Sequence, residues 1–142
     1  MEPDYQRLRR RLIIDEAAKL QLYTDSVGKI SIGVGRNLTD KGIRPSELIL
    51  MLNNDLKEAE QELLTAWPWM IGLDQVRMEV MINMSFNMGV TVLSQFKNTI
   101  NYLRLGEYDR TAFGMRNSKW YKQVGERAER LATMMETGIA II

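Results

Sequence analysis

Residues 13–40 read "IIDEAAKLQLYTDSVGKISIGVGRNLTD", and the fold turns on them because the hydrophobic period changes inside this stretch. On its N-terminal side, Tyr5, Leu8, Leu12 and Leu20 recur at helical spacing from about Pro3 onward, which predicts a first helix. Beyond it, Leu20 and Leu22, then Ile30, Ile32 and Val34, alternate with polar neighbours, which predicts a hairpin of short strands with Asp25, Ser26 and Gly28 in its turn. Gly33 and Gly35 weaken a strand unless something approaches the backbone closely; a cleft wall and a bulge both meet that condition. The GVG at 33–35 is not a phosphate loop, since no GK[ST] follows it and the wider dinucleotide pattern is missing.

Two carboxylates flank the change of period. Glu16 lies four residues after Leu12, in the apolar row, where desolvation and the negative end of a helix both disfavour its charge. Asp25 falls nine positions later, in the turn. Position alone favours a frayed or snorkelling terminal Glu and a turn-forming Asp; an acid and base pair is the sharper alternative.

From Pro45 a long helix is expected, with Leu48, Leu52, Leu56 and Leu63 in one stripe and Glu58, Glu60 and Glu62 facing away, until "WPW" at 67–69 breaks it. A second long helix opens on Asp74 as N-cap and closes at Gly89; its apolar residues lie nearly all round, which marks a central core helix. Shorter helices are expected at about 98–105 ending at Gly106, about 107–115, near 119–123, and about 126–136 ending at Gly138. The fold class is α+β and mostly α, a small β-hairpin lobe and a larger helical lobe joined by a long helix.

Composition limits the chemistry. The 142 residues fit one domain, and neither His nor Cys occurs, which removes Ser-His-Asp and Cys-His nucleophiles, zinc sites built on imidazole or thiolate, and any disulfide. Net charge is +1, but residues 97–130 hold eight Lys or Arg against four Asp or Glu, a lean toward an anionic partner. The ten methionines, many of them between 70 and 90, read as adaptable core filler. The start lacks the apolar run of a signal peptide and no stretch approaches the roughly 18 apolar residues of a membrane span, so a cytoplasmic product is expected.

The order of helix, Glu16, Tyr23-x-Asp25 and "SIGVG" at 31–35, followed by "SFNMG" at 85–89, "FKNT" at 96–99, "SKWY" at 118–121 and "RAER" at 127–130, resembles the phage-type lysozymes, endolysins of the T-even phage kind. The resemblance spans nearly the whole chain. It implies a single lysozyme-like catalytic domain over 1–142, with about 17–60 as small lobe and linking helix and about 1–16 plus 61–142 as helical lobe. The segment between hairpin and long helix is shorter here than in the T-even enzymes.

What the resemblance implies about activity is hydrolysis of the β-1,4 bond between N-acetylmuramic acid and N-acetylglucosamine in peptidoglycan. Glu16 is then the general acid, Asp25 and Ser31 position water, and Ser31 occupies the place of the family's usual Thr. Glycoside cleavage needs a proton donor and a second group that stabilises positive charge and guides water, so no cofactor or metal is implied. Gly35 and Asn37 correspond to part of the sugar-binding rim, Phe86 and Asn87 to the opposite wall, and Arg127 to the arginine that meets the catalytic Glu. Read without the resemblance, Phe86 is core, Asn87 a helix-end cap and Arg127 a solvated charge. Trp120 and Tyr121 are read as core anchors rather than sugar platforms. Arg36 stands where the T-even enzymes have His, and is able to pair with a carboxylate behind the hairpin without titrating near neutrality; Gly114 stands where they have an Asn near the cleft.

The partners so implied are the peptidoglycan substrate and a holin giving access to it, with no nucleic acid, no stable membrane insertion and a monomeric state, the protein residing in the host bacterial cytoplasm before release to the cell wall. The alternative is a non-catalytic, cationic wall- or membrane-binding lysozyme-like protein, resting on the basic, aromatic-bearing "RNSKWYKQVGERAERL" at 116–131.

Overall fold

Asp4 starts the first helix, α1 (Tyr5–Glu16), by accepting a hydrogen bond from the Arg7 amide at 3.0 Å, and Arg11 pairs with Asp15 one turn later at 2.8 Å. None of the residues of α1 is buried, Glu16 included. Membership of the apolar row therefore does not bury this carboxylate: it is the last helical residue, and Ala17, at φ 60°, turns the chain out of the helix toward the sheet.

The computed structural model describes residues 1–142, and contacts along the chain divide it into two units, Met1–Leu50 and Met51–Ile142. This division places residues 1–16 in the first unit, where the resemblance groups them with 61–142. After α1 the first unit holds strands β1 (Lys19–Thr24), β2 (Ile30–Gly33) and β3 (Arg36–Asn37), an antiparallel sheet in that order. The expected hairpin is β1 and β2; β3 was not expected, because two residues are too few to show alternation. Tyr23 pairs with Ser31 and Ser31 with Asn37, so the three side chains form one row across a face of the sheet. Between Lys19 and Tyr23 the register of β1 shifts against β2.

An arginine fork ties the sheet to the start of the next helix, α2 (Pro45–Ala66). Arg36 donates from Nη1 to Glu47 Oε1 at 2.8 Å and from Nη2 to Glu47 Oε2 at 2.7 Å, and Nη1 also reaches the Gly42 carbonyl at 3.3 Å. Glu47 in turn accepts from the Arg44 amide at 2.7 Å, the reciprocal half of a capping box at the first turn of α2. Arg36 thus has its carboxylate partner behind the hairpin, and as an arginine it stays charged across the neutral range.

In the second unit the rest of α2 leads through a 3₁₀ turn (Pro68–Gly72) to α3 (Gln75–Leu93), α4 (Lys97–Arg104), α5 (Tyr108–Arg116), α6 (Lys119–Val124) and α7 (Glu126–Thr137). Asp74 caps α3 by accepting from the Arg77 amide. Gly89 breaks α3 at φ 79° and ψ 159°, as its place in the sequence suggests, although one more helical turn follows it to Leu93. The core gathers Leu63, Val80, Leu93, Leu103 and Trp120 with six of the ten methionines, Met70, Met81, Met84, Met115, Met134 and Met135. The methionines are core filler, each contributing roughly 1.5–3 kcal/mol when fully buried. No helix is long and apolar enough to cross a membrane.

Two guanidinium groups fasten α7. Arg77 donates from Nε to the Met135 carbonyl at 2.7 Å and from Nη2 to the Glu136 carbonyl at 3.2 Å, with Tyr108 stacked 3.5 Å from its guanidinium carbon, so the open end of α7 gains donors and a positive charge where its dipole is negative. Arg116 of α5 grips Glu129 from Nε and Nη2 at 3.1 and 3.2 Å and also pairs with Glu136; Tyr121 of α6 donates to the same Glu129 at 2.7 Å. The Arg116 bond, then that from Tyr121, holds the Glu129 carboxyl below its usual range.

The hydrogen bonds from Arg36, then that from the Arg44 amide, and then the charge of Arg36 lower the Glu47 pKa from the usual 4.5 to about 2. A depressed carboxylate stabilises the fold above its ordinary pKa and loses that contribution as pH falls through the folded value. The part of acid destabilisation due to Glu47 is therefore expected between pH 4.5 and 2. Urea midpoints measured across that interval should converge between the native chain and Glu47→Gln as pH falls, with the native chain the more stable above it.

Candidate active site

Glu16 reaches its place because α1 ends at it, and Gly35 receives it because Gly35 has no side chain. A Cβ at Gly35 would lie 3.0 Å from Glu16 Oε2 and 3.4 Å from its carboxyl carbon, too near for the first of these, and Gly35 already sits at φ +66°, where L residues are strained. The expectation that a glycine in "SIGVG" marks a close approach is met here, and what approaches is the Glu16 carboxylate.

Asp25 closes the turn between β1 and β2. Its Oδ1 accepts from the Val27 amide at 3.0 Å and the Lys29 amide at 2.8 Å, while the Asp25 amide donates to the Lys29 carbonyl at 2.8 Å. The turn-forming reading of this residue is thus correct as far as Oδ1 goes; Oδ2 makes no hydrogen bond within the protein. Ser31, in the middle strand, is only 3% exposed, the one buried residue of the sheet. Asn37, next to it across the sheet, uses its side chain locally: Nδ2 donates to Asp40 Oδ2 at 2.9 Å and Oδ1 accepts from the Asp40 amide at 3.1 Å. In this unit the fold brings Glu16 to Gly35 and sets Ser31 beside Asn37.

In the second unit Arg127 of α7 directs Nε and Nη2 onto Asn83 Oδ1 of α3, at 3.2 and 2.7 Å. Both line a groove of about 620 Å³ together with Phe86, Ile82, Leu56 and Glu60. Phe86 is 44% exposed and is not core. Asn87 is not a helix-end cap: α3 continues past it, and its Oδ1 accepts the Trp120 indole N–H at 2.8 Å. Trp120 is buried, edge-on to Phe96 at 6.5 Å between ring centroids, a core anchor. Asn83 was missed by the sequence reading. The signal for it was present in "INMSFNMG", where Asn83 precedes Phe86 and Asn87 by three and four residues and so shares their side of a helix.

Residues 14–135 match the model of the phage lysozyme family. Among curated proteins, the chain is 27% identical to probable T4-type lysozyme 1 of Dictyostelium discoideum, over 87% of this chain and 90% of that one. It is 26% identical to probable T4-type lysozyme 2 of the same organism, covering 92% and 94% of the two chains. A third similarity, at 22% identity, is to the pre-baseplate central spike protein Gp5 of Enterobacteria phage T4; it covers 87% of this chain but 26% of that protein.

Gly33, at the end of β2, and Gly35, in the connection to β3, separate backbone strain from contact. A methyl group at Gly33, φ +70°, meets nothing within 4 Å, whereas at Gly35 it comes to 3.0 Å from Glu16 Oε2, which must shift slightly. Gly33→Ala is expected to cost roughly 1–2 kcal/mol from backbone strain alone. Gly35→Ala should cost at least as much and also shift the Glu16 side-chain resonances in a carbon-detected NMR spectrum, which Gly33→Ala leaves in place.

Proposed function

Because the chain belongs to the phage lysozyme family, we propose that it is a muramidase that hydrolyses the β-1,4 bond between N-acetylmuramic acid and N-acetylglucosamine of peptidoglycan. The observation that carries the reading is the Glu16 carboxylate at the end of α1, exposed to solvent and held against a glycine backbone that leaves it room. A side chain so placed is free to meet a substrate and deliver its proton.

In this mechanism Glu16 protonates the bridging oxygen as the glycosidic bond breaks, and positive charge develops at the anomeric carbon. Asp25 is anchored through Oδ1 by two turn amides, which leaves Oδ2 to hold a water and to stabilise that charge. Ser31 contributes a hydroxyl from the middle strand. Water attacks the face opposite the leaving group, its proton passing to the Asp25 carboxylate, and the anomeric centre inverts. Gly35, Asn37, Phe86, Asn87 and Arg127 bind sugar or orient the acid. A role in host lysis, with access to the wall given by a holin, accords with this activity.

Glu16→Gln should lower muralytic turnover by about a thousandfold, in keeping with the loss of a general acid; lysis that survives it would favour the non-catalytic, cationic reading. Asp25→Asn retains an oxygen for the two turn amides and removes only the charge, so turnover should fall while the unfolding midpoint holds. At Ser31 the isosteric pair Thr and Val isolates the hydroxyl: Ser31→Thr should keep turnover and Ser31→Val lose most of it. The α anomer is expected as first product by NMR before mutarotation, and a β product would overturn the single displacement.

A further inference from the structure

Asp40, in the loop after β3, takes no part in the mechanism above, yet its amide and both of its carboxylate oxygens are engaged. Oδ2 accepts from Asn37 Nδ2 at 2.9 Å and the Asp40 amide donates to Asn37 Oδ1 at 3.1 Å, so the Asn37 side-chain amide is clasped at both ends and its orientation is fixed. Oδ1 accepts from Lys29 Nζ at 3.1 Å. Lys29 is itself fastened to the hairpin turn, its amide donating to Asp25 Oδ1 at 2.8 Å and its carbonyl accepting from the Asp25 amide at 2.8 Å. A continuous path therefore runs from Asp25 through Lys29 and Asp40 to Asn37, all within the first unit.

The sheet alone joins these residues weakly. β3 pairs with β2 only at Ser31 with Asn37 and Ile32 with Arg36, and past Asn37 the chain is held to β2 by Leu38 and Thr39 on Ile30. The Lys29 and Asp40 side chains are 39% and 57% exposed, and so open an ion pair adds little stability. Its geometry is the informative property. The clasp uses one of the two N–H groups of Asn37 Nδ2 and one lone pair of Oδ1, which leaves one donor and one acceptor aimed in a set direction. Resting on the muramidase reading, in which Asn37 binds sugar and Asp25 holds the water, we propose that Asp40 and Lys29 are positioning residues: Asp40 orients the Asn37 amide for the sugar, and Lys29 ties that amide to the Asp25 turn so that bound sugar and water-holding carboxylate keep one spacing. Such spacing matters, since a misplacement of about 1 Å costs on the order of a hundredfold in rate. Neither residue touches the reacting atoms.

The test is a double-mutant cycle over Lys29→Met and Asp40→Ala, read by turnover on peptidoglycan and by amide hydrogen exchange on the full chain. Lys29→Met should lower kcat about tenfold with KM little changed, because Asp40 still clasps Asn37. Asp40→Ala should lower kcat by a like factor and also raise KM. The double variant should be no worse than Asp40→Ala, and Lys29→Arg, which keeps a cation of similar reach, should retain native turnover. Urea midpoints should stay together throughout the series. Without substrate, exchange of the Val27 amide, which donates to Asp25 Oδ1 and has no hydrogen bond to Asp40, should quicken about tenfold in Asp40→Ala and not at all when Asp40→Ala is added to Lys29→Met. Losses that multiply in the double variant, a Val27 exchange rate that ignores Asp40, or a drop in midpoint that accounts for the lost turnover would each overturn the proposal. The exchange arm needs no turnover, so a native chain that cleaved no glycan would remove the muramidase reading, while Val27 exchange would still decide whether Asp40 holds the Asp25 turn.

Discussion

The absence of a single Cβ, at Gly35, is the constraint on which the candidate site rests. The connection between β2 and β3 passes so close to the end of α1 that a Cβ at Gly35 would stand 3.0 Å from the Glu16 carboxylate, which would have to give way by a few tenths of an ångström. The same backbone bends at positive φ at both Gly33 and Gly35, a path open at little cost only to glycine. Glu16 is consequently presented by the meeting of a helix end and a strand connection, with solvent on its other side. A proton donor needs both features: a defined position and an open approach for the substrate oxygen.

Behind that connection the Arg36 and Glu47 fork does for the sheet what a core would do in a larger one. Three short strands bury little apolar surface, Leu20 and Leu22 being exposed, and a bidentate ion pair that also completes a helix cap fixes where β3 meets α2. The helical unit solves a different problem. Its methionine-rich core fills space without strongly dictating geometry, and directional contacts supply the specificity: Arg77 on the last carbonyls of α7, Arg116 on Glu129, Asn83 on Arg127 and Asn87 on the Trp120 indole. Asn83 and Arg127 line a groove, so a bond that sets the helix packing also shapes a surface offered to a ligand.

Helix boundaries were legible because punctuation in the sequence has local causes: Asp74 caps, Pro45 opens, and Gly106 and Gly138 follow the ends of their helices within a residue or two, while Gly89 breaks α3 one turn before its end. The hairpin turn was legible for the same reason, Asp25 bonding to amides two and four residues ahead. The two-residue strand β3 was not, since pairing with β2 is a non-local event that leaves no period in so short a segment. At Glu16 the frayed-terminus reading holds, because the whole row of α1, Leu8 and Leu12 included, is exposed and the carboxylate sits on its last residue.

The sequence by itself determined the helices and the hairpin, their order, the mostly helical class and the chemistry that is open to a chain without His or Cys, because propensity, capping and composition act within a few residues of where they are written. Tertiary structure alone decided which carboxylate meets which backbone, that Arg36 takes Glu47, that Asn83 takes Arg127, and that Lys29 and Asp40, 11 positions apart, join the Asp25 turn to Asn37. Such contacts join residues distant along the chain, and their distances follow from the packing of whole elements, which no local pattern of residues encodes.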